Sequence, residues 1–166
     1  GEVVMTIKVK VEELSKIFGP RPKRMYRMVE KGESKTDILA KTGHTVGVYK
    51  ASMDIMEGET FVIMGLSGSG KSTLIRCLNM LNRPTAGSIT VDGEDITKYN
   101  AQQLTTYRQE KIAMVFQHFG LFSHRTIISN IEYGLEIKGL EKAKRHKMAR
   151  HPIELVGFKG WDDNNP

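Results

Sequence analysis

Two kinds of apolar pattern run along this chain. Val3 to Val11 and Thr45 to Ile55 alternate apolar with polar residues, which is the period of a half-buried strand. Phe61-Val62-Ile63-Met64 and Ile112-Ala113-Met114-Val115-Phe116 are short, continuous apolar runs, the pattern of a strand covered on both faces. Glu12 to Phe18 fits either a continuation of the first strand or a short turn, before Gly19-Pro20-Arg21-Pro22 breaks it. Lys23 to Lys41 is basic, with Met25, Met28 and Val29 at helical spacing. Within it, Ser34 and Asp37 ahead of Ile38-Leu39 resemble a capping box. Ser88 to Val91 and Glu94 to Ile96, joined by Asp92-Gly93, predict a hairpin. Further helices are predicted over Lys71 to Leu81, Ala101 to Glu110, Thr126 to Lys138 and Glu141 to Val156. The order predicts an α/β core with an antiparallel edge.

The turn between the run at 61–64 and the helix at 71 changes the picture. It reads Gly65-Leu66-Ser67-Gly68-Ser69-Gly70-Lys71-Ser72-Thr73, the G-x-x-x-x-G-K-[ST] phosphate loop, between a predicted strand and a predicted helix. Glycines let the backbone curl so that successive amides face one anion. The amides of Gly68, Gly70, Lys71, Ser72 and Thr73 are placed to surround phosphates, with Ser67 and Ser69 in the same loop. The Lys71 ammonium suits the β- and γ-phosphates of ATP, and the Ser72 hydroxyl suits Mg²⁺. The positive end of the following helix favours the same charge.

Gln117 is the second informative residue. It follows the run Ile112 to Phe116 directly, which predicts a polar side chain at the carboxyl edge of a sheet. A glutamine there offers its carbonyl to Mg²⁺ and a contact to attacking water. The plain alternative, a glutamine that merely ends a strand, stays open on this feature alone.

Together the two constellations resemble the ATP-binding subunit of ATP-binding-cassette transporters. Phe61 to Leu74, Met114 to Thr126 and Lys41 to Tyr49 are similar to the glycine betaine/proline (quaternary amine) importer ATPases, although Ser123 stands where a proline is usual. The resemblance spans nearly the whole chain. It implies a P-loop core of ABC type over 1–120, with a helical insertion at about 20–44, and the start of a helical subdomain over 121–166. It implies Phe18 as an aromatic that stacks on adenine, with a core phenylalanine as the alternative and Tyr26 or Tyr49 as competitors. It further implies a membrane permease subunit as partner, a second copy of the ATPase subunit, and a peripheral place on the cytoplasmic face of the membrane. His118 and His124 fall in the loop that such a resemblance turns toward the permease.

The family's later motifs do not occur. No Leu-Ser-Gly-Gly signature, no apolar strand ending in Asp-Glu (Walker B) and no switch histidine follows Gln117. The carboxylates beyond it are Glu132, Glu136, Glu141, Glu154, Asp162 and Asp163, and none ends an apolar strand. The expectation is therefore the amino-terminal part of a longer subunit, binding ATP with little or no hydrolysis and exposing apolar surface. Two rival readings are a non-catalytic nucleotide-binding fragment acting by protein contact and a P-loop small-molecule kinase. The kinase would need an arginine-rich lid, which the sequence lacks.

Bulk properties narrow little more. A net charge of +6 permits an anionic partner, but no nucleic-acid motif accompanies it. The single cysteine, Cys77, sits among helical apolar positions and reads as a buried, inert thiol. The basic run from Lys142 to His151 reads as a solvated helix face, with phospholipid contact as the alternative. The histidines show no metal-ligand spacing.

Overall fold

A computed structural model describes residues 6–117 and 120–166. The strand start expected at Val3 and the loop residue His118 lie outside the described residues. The chain forms two compact units, Gly1–Ala113 and Met114–Pro166.

The first unit is built on a four-stranded sheet in the order β2-β1-β3-β4. β1 spans Ile7–Phe18, β2 Thr45–Met56, β3 Ala86–Val91 and β4 Glu94–Asp95, all paired antiparallel. Glu12 to Phe18 continues β1, so the strand outruns the stretch whose alternation predicts it. Register shifts against β2 on either side of Leu14, with Glu13 at φ 48, keep this long strand paired where strict alternation fails. β3 and β4 meet at Asp92-Gly93, where both residues have positive φ (51° and 82°), the backbone of a two-residue hairpin turn.

Two short helices, α1 (Pro22–Glu30) and α2 (Lys35–Thr42), lie between β1 and β2. Met25 and Val29 of α1 and Ile38 of α2 bury with Ile17 and Val46 in a small cluster of their own. Ser34 caps α2 by accepting the Asp37 amide at 3.0 Å. Its hydroxyl then donates to the Asp37 carboxylate at 2.7 Å, so this is a cap without the reciprocal backbone bond of a capping box. The reciprocal box occurs instead at α4 (Ala101–Glu110), between Asn100 and Gln103.

The main core gathers Val11, Leu14, Val48, Ile89 and Val91 from the sheet, Leu74 and Cys77 from α3 (Lys71–Leu78), and Leu104 and Tyr107 from α4. α3 ends three residues short of its predicted end, where Met80 turns to φ 57.

The two continuous apolar runs correct the sequence reading. Neither 61–64 nor 112–116 joins a ladder among the described residues. Ile63 and Ile112 touch the core, but Val62 is 67% exposed, Met64 86% and Val115 96%. The physical reason is pairing. A strand buried on both faces needs neighbours whose amides and carbonyls are open alongside it. Within the antiparallel sheet β1 is paired on both sides, and neither run lies in register along the outer edge of β2 or of β4.

The second unit holds α5 (Ile127–Ile137) and α6 (Lys142–Leu155). Thr126 caps α5, accepting the Ser129 amide at 3.3 Å. Ile128, Ala149 and Ile153 pack between the helices. The buried carboxylate of Glu132 joins them, taking the His146 Nδ1 at 2.6 Å and the Arg145 Nε at 3.4 Å.

Candidate functional site

The phosphate loop lies between the extended run at 61–64 and the first turn of α3. The helix begins at Gly70, whose carbonyl accepts the first helical bond, from the Leu74 amide at 2.9 Å. The amides of Lys71, Ser72 and Thr73 precede that bond and face out of the helix end without an intrahelical acceptor. Gly68 and Gly70 take φ of 78° and 101°. A side chain on Gly70 would also overlap the carbonyl oxygen of Gly47 on β2. Both the conformation and the close approach require glycine there.

Lys71 reaches back across the loop. Its Nζ donates to the carbonyls of Gly65 at 2.6 Å and Leu66 at 2.7 Å, with the Ser69 hydroxyl oxygen at 3.4 Å. The ammonium thus stands inside the curl, at the end of α3 that already favours anions. The Ser72 side chain is exposed in the first helical turn, and Ser67 is exposed in the loop.

The far end of α3 is held just as firmly. The Tyr107 hydroxyl donates to the Leu78 carbonyl at 2.8 Å. Arg108 donates to the carbonyls of Asn79 at 3.1 Å and Met80 at 2.8 Å. A cation on the carbonyls at this end supports the helix dipole that the phosphate loop uses. Tyr107 is buried, which pushes its phenol up to about 12 and keeps it a donor.

Phe18 ends β1 and is 38% exposed. A Cβ placed on Gly47 would come within 2.9 Å of its ring and 3.0 Å of the Thr73 methyl. The aromatic and the start of α3 therefore border the same point of β2. Tyr26 and Tyr49 instead pair with each other at 6.1 Å between centroids, against the small cluster of the insertion. Gly47 was missed by sequence reasoning. Its signal was available, since a lone glycine inside a strand pattern marks a close approach of another backbone.

Gln117 lies in the second unit, exposed, after the extended run at 112–116. His124 stacks edge-on against Phe122 at 5.7 Å. Asp92 serves the hairpin turn, pairing with Lys8 at 2.6 Å and Lys111 at 3.0 Å. These two lysines hold its carboxyl below the usual range. Cys77 is buried, and desolvation pushes its thiol up to about 11, which leaves it unreactive at neutral pH. Among the described residues no cluster of histidine, cysteine and carboxylate could hold a metal ion.

These residues fit a nucleoside triphosphate. The loop sets helix-start amides without intrahelical acceptors beside the Lys71 ammonium, the groups that bind phosphate. Ser72 carries a hydroxyl oxygen of the kind that a hard cation such as Mg²⁺ takes.

Comparison with known proteins places the chain among relatives. The family model described as ABC transporter matches residues 48–166. A glycine betaine/carnitine transport ATP-binding protein of Listeria monocytogenes is 53% identical over 159 residues, covering 96% of this chain and 40% of that protein. A glycine betaine transport ATP-binding protein of Bacillus subtilis is 52% identical over 160 residues, covering 96% of this chain and 38% of that protein. A dimeric ATP-binding cassette solved in a post-hydrolysis state with ADP and Pi is similar at TM-score 0.74 and 26% identity, covering 95% of this chain and 61% of that chain. The chain spans about 40% of the length of the curated relatives it matches.

Proposed function

This chain belongs to the ABC transporter family, and from that premise we propose that it is the nucleotide-holding part of an ATP-binding subunit that energises import of glycine betaine or a related quaternary amine. The observation that carries the reading is the Lys71 ammonium held inside a curled loop whose Gly70 is pressed against Gly47. The quaternary-amine assignment rests on the names of the relatives, because nothing in a phosphate loop recognises the transported solute.

In this reading the amides of Gly68, Gly70, Lys71, Ser72 and Thr73 and the Lys71 ammonium bind the phosphates of ATP. Ser72 holds Mg²⁺, which neutralises phosphate charge when bound, and the family resemblance alone assigns Gln117 a part in binding it. Phe18 stacks on adenine, and Ser67 and Ser69 line the loop. The partners are a membrane permease and a second copy of the subunit, met at the cytoplasmic face of the membrane. Among the described residues no helix is long and apolar enough to cross a membrane.

Hydrolysis by this polypeptide alone is expected to be weak. A general base must reach the water that attacks the γ-phosphate. Of the carboxylates after Gln117, Glu132 and Glu136 are tied to Arg145, and Glu136 also to Arg125. Neither sits at the end of a strand.

The test is a titration of ATP with and without Mg²⁺, run beside a phosphate-release assay. Saturable, Mg²⁺-strengthened binding with negligible release supports the proposal. Phosphate transfer to an added small-molecule acceptor would favour the kinase reading instead.

A further inference from the structure

The exposed ring of Phe18 is not left to find its own position. Lys16, two residues earlier on β1, places its Nζ 5.1 Å above the ring centroid. The same ammonium donates to the Arg83 carbonyl at 2.9 Å. Arg83 belongs to the connector that follows α3, and that connector grips the end of β1. The Thr85 amide donates to the Ser15 carbonyl at 2.7 Å. The Thr85 hydroxyl oxygen accepts the Ile17 amide at 3.0 Å and lies 3.4 Å from the Ile17 carbonyl it donates to. One side chain thus occupies the backbone of the residue just before the aromatic.

Resting on the nucleotide reading above, we propose that Lys16 is a positioning residue for base recognition, backing one face of Phe18 and leaving the other face to a purine. One edge of the ring meets Gly47 and one face meets the ammonium, yet 38% of the residue stays open. A cation over an aromatic face is attracted by the ring quadrupole and limits how the ring turns. Because the Lys16 anchor is a carbonyl of the connector that leaves the phosphate-loop helix, base platform and phosphate loop are joined through one stretch of chain.

The test compares ATP with inorganic tripolyphosphate, which has no base to stack. Dissociation constants are measured for the wild type, Phe18→Ala, Lys16→Ala and Lys16→Arg, with thermal melts to confirm folding. Phe18→Ala is expected to weaken ATP roughly tenfold and tripolyphosphate not at all. Lys16→Ala is expected to weaken ATP about two- to fivefold with tripolyphosphate unchanged, and Lys16→Arg to restore it. Unchanged or tighter ATP binding by Lys16→Ala would overturn the proposal, the latter meaning that the lysine blocks the base. Equal weakening of both ligands would also overturn it, by showing damage to the loop. A wild type that binds tripolyphosphate but shows no effect of Phe18→Ala sinks the stacking role, and one that binds neither ligand sinks the nucleotide reading itself.

Discussion

β1 and the run from Phe61 to Met64 are both apolar segments of the same unit, yet they end in opposite surroundings. β1 is paired on both sides, by β2 and β3, and its Val11, Leu14 and Ile17 are almost wholly buried. The run at 61–64 pairs with nothing among the described residues and leaves Val62 and Met64 open to water. Apolar content states how much a segment gains from a neighbour. Whether a neighbour's open hydrogen-bonding groups lie alongside the segment decides the outcome. The phosphate loop tolerates this imbalance because its shape comes from the other side, through α3, Gly47 and the Lys71 contacts.

The sharpest test of that contrast is a pair of truncations. Leu14→Ala is expected to cost about 2–5 kcal/mol in denaturant unfolding. Val62→Ser is expected to stay within about 0.5 kcal/mol. A large loss at Val62 would show that the run is buried after all. Gly47→Ala comes next. Its new methyl group has to displace the Phe18 ring and Thr73, so a loss of about 1–3 kcal/mol is expected, together with weaker ATP binding. Stability loss without any effect on ATP would separate Gly47 from the site.

A smaller effect concerns association. Val115 is 96% exposed within an apolar run. Val115→Lys is expected to lower self-association in light scattering without changing the melting temperature. Unchanged association would place the sticky surface elsewhere. The smallest effect is at Asp92, whose carboxyl the neighbouring Lys8 and Lys111 hold below its ordinary value. A lowered folded value means that the stabilisation is present above the unfolded value, about 3.9, and is lost as the pH falls through the folded one. The difference between wild type and Asp92→Asn should therefore be constant from pH 5 to 8, roughly, and shrink in acid. A difference that grew on acidification would contradict the pairing.

Local chemistry was legible in the sequence. The glycine spacing that names the phosphate loop, the Asp92-Gly93 turn and the Ser34 cap each depend on a few adjacent residues. What was not legible depends on residues far apart. Strand status at 61–64 hinges on a partner elsewhere in the chain. The grip of Tyr107 and Arg108 on the end of α3 joins positions about 28 apart, and that of Thr85 on Ile17 joins positions 68 apart. The ATP-binding role of each site residue was read from motif and resemblance, and only titration addresses it.

The central claim is that a curled loop and one ammonium hold a triphosphate at the start of α3. MgATP titrated into wild type and into Lys71→Ala measures this directly, since the lysine supplies charge-assisted bonds worth about 1.5–3 kcal/mol. Saturable binding by the wild type, weakened at least about tenfold by the substitution, is the predicted result. Absence of saturation in folded wild-type protein, or equal affinity in both, would contradict it.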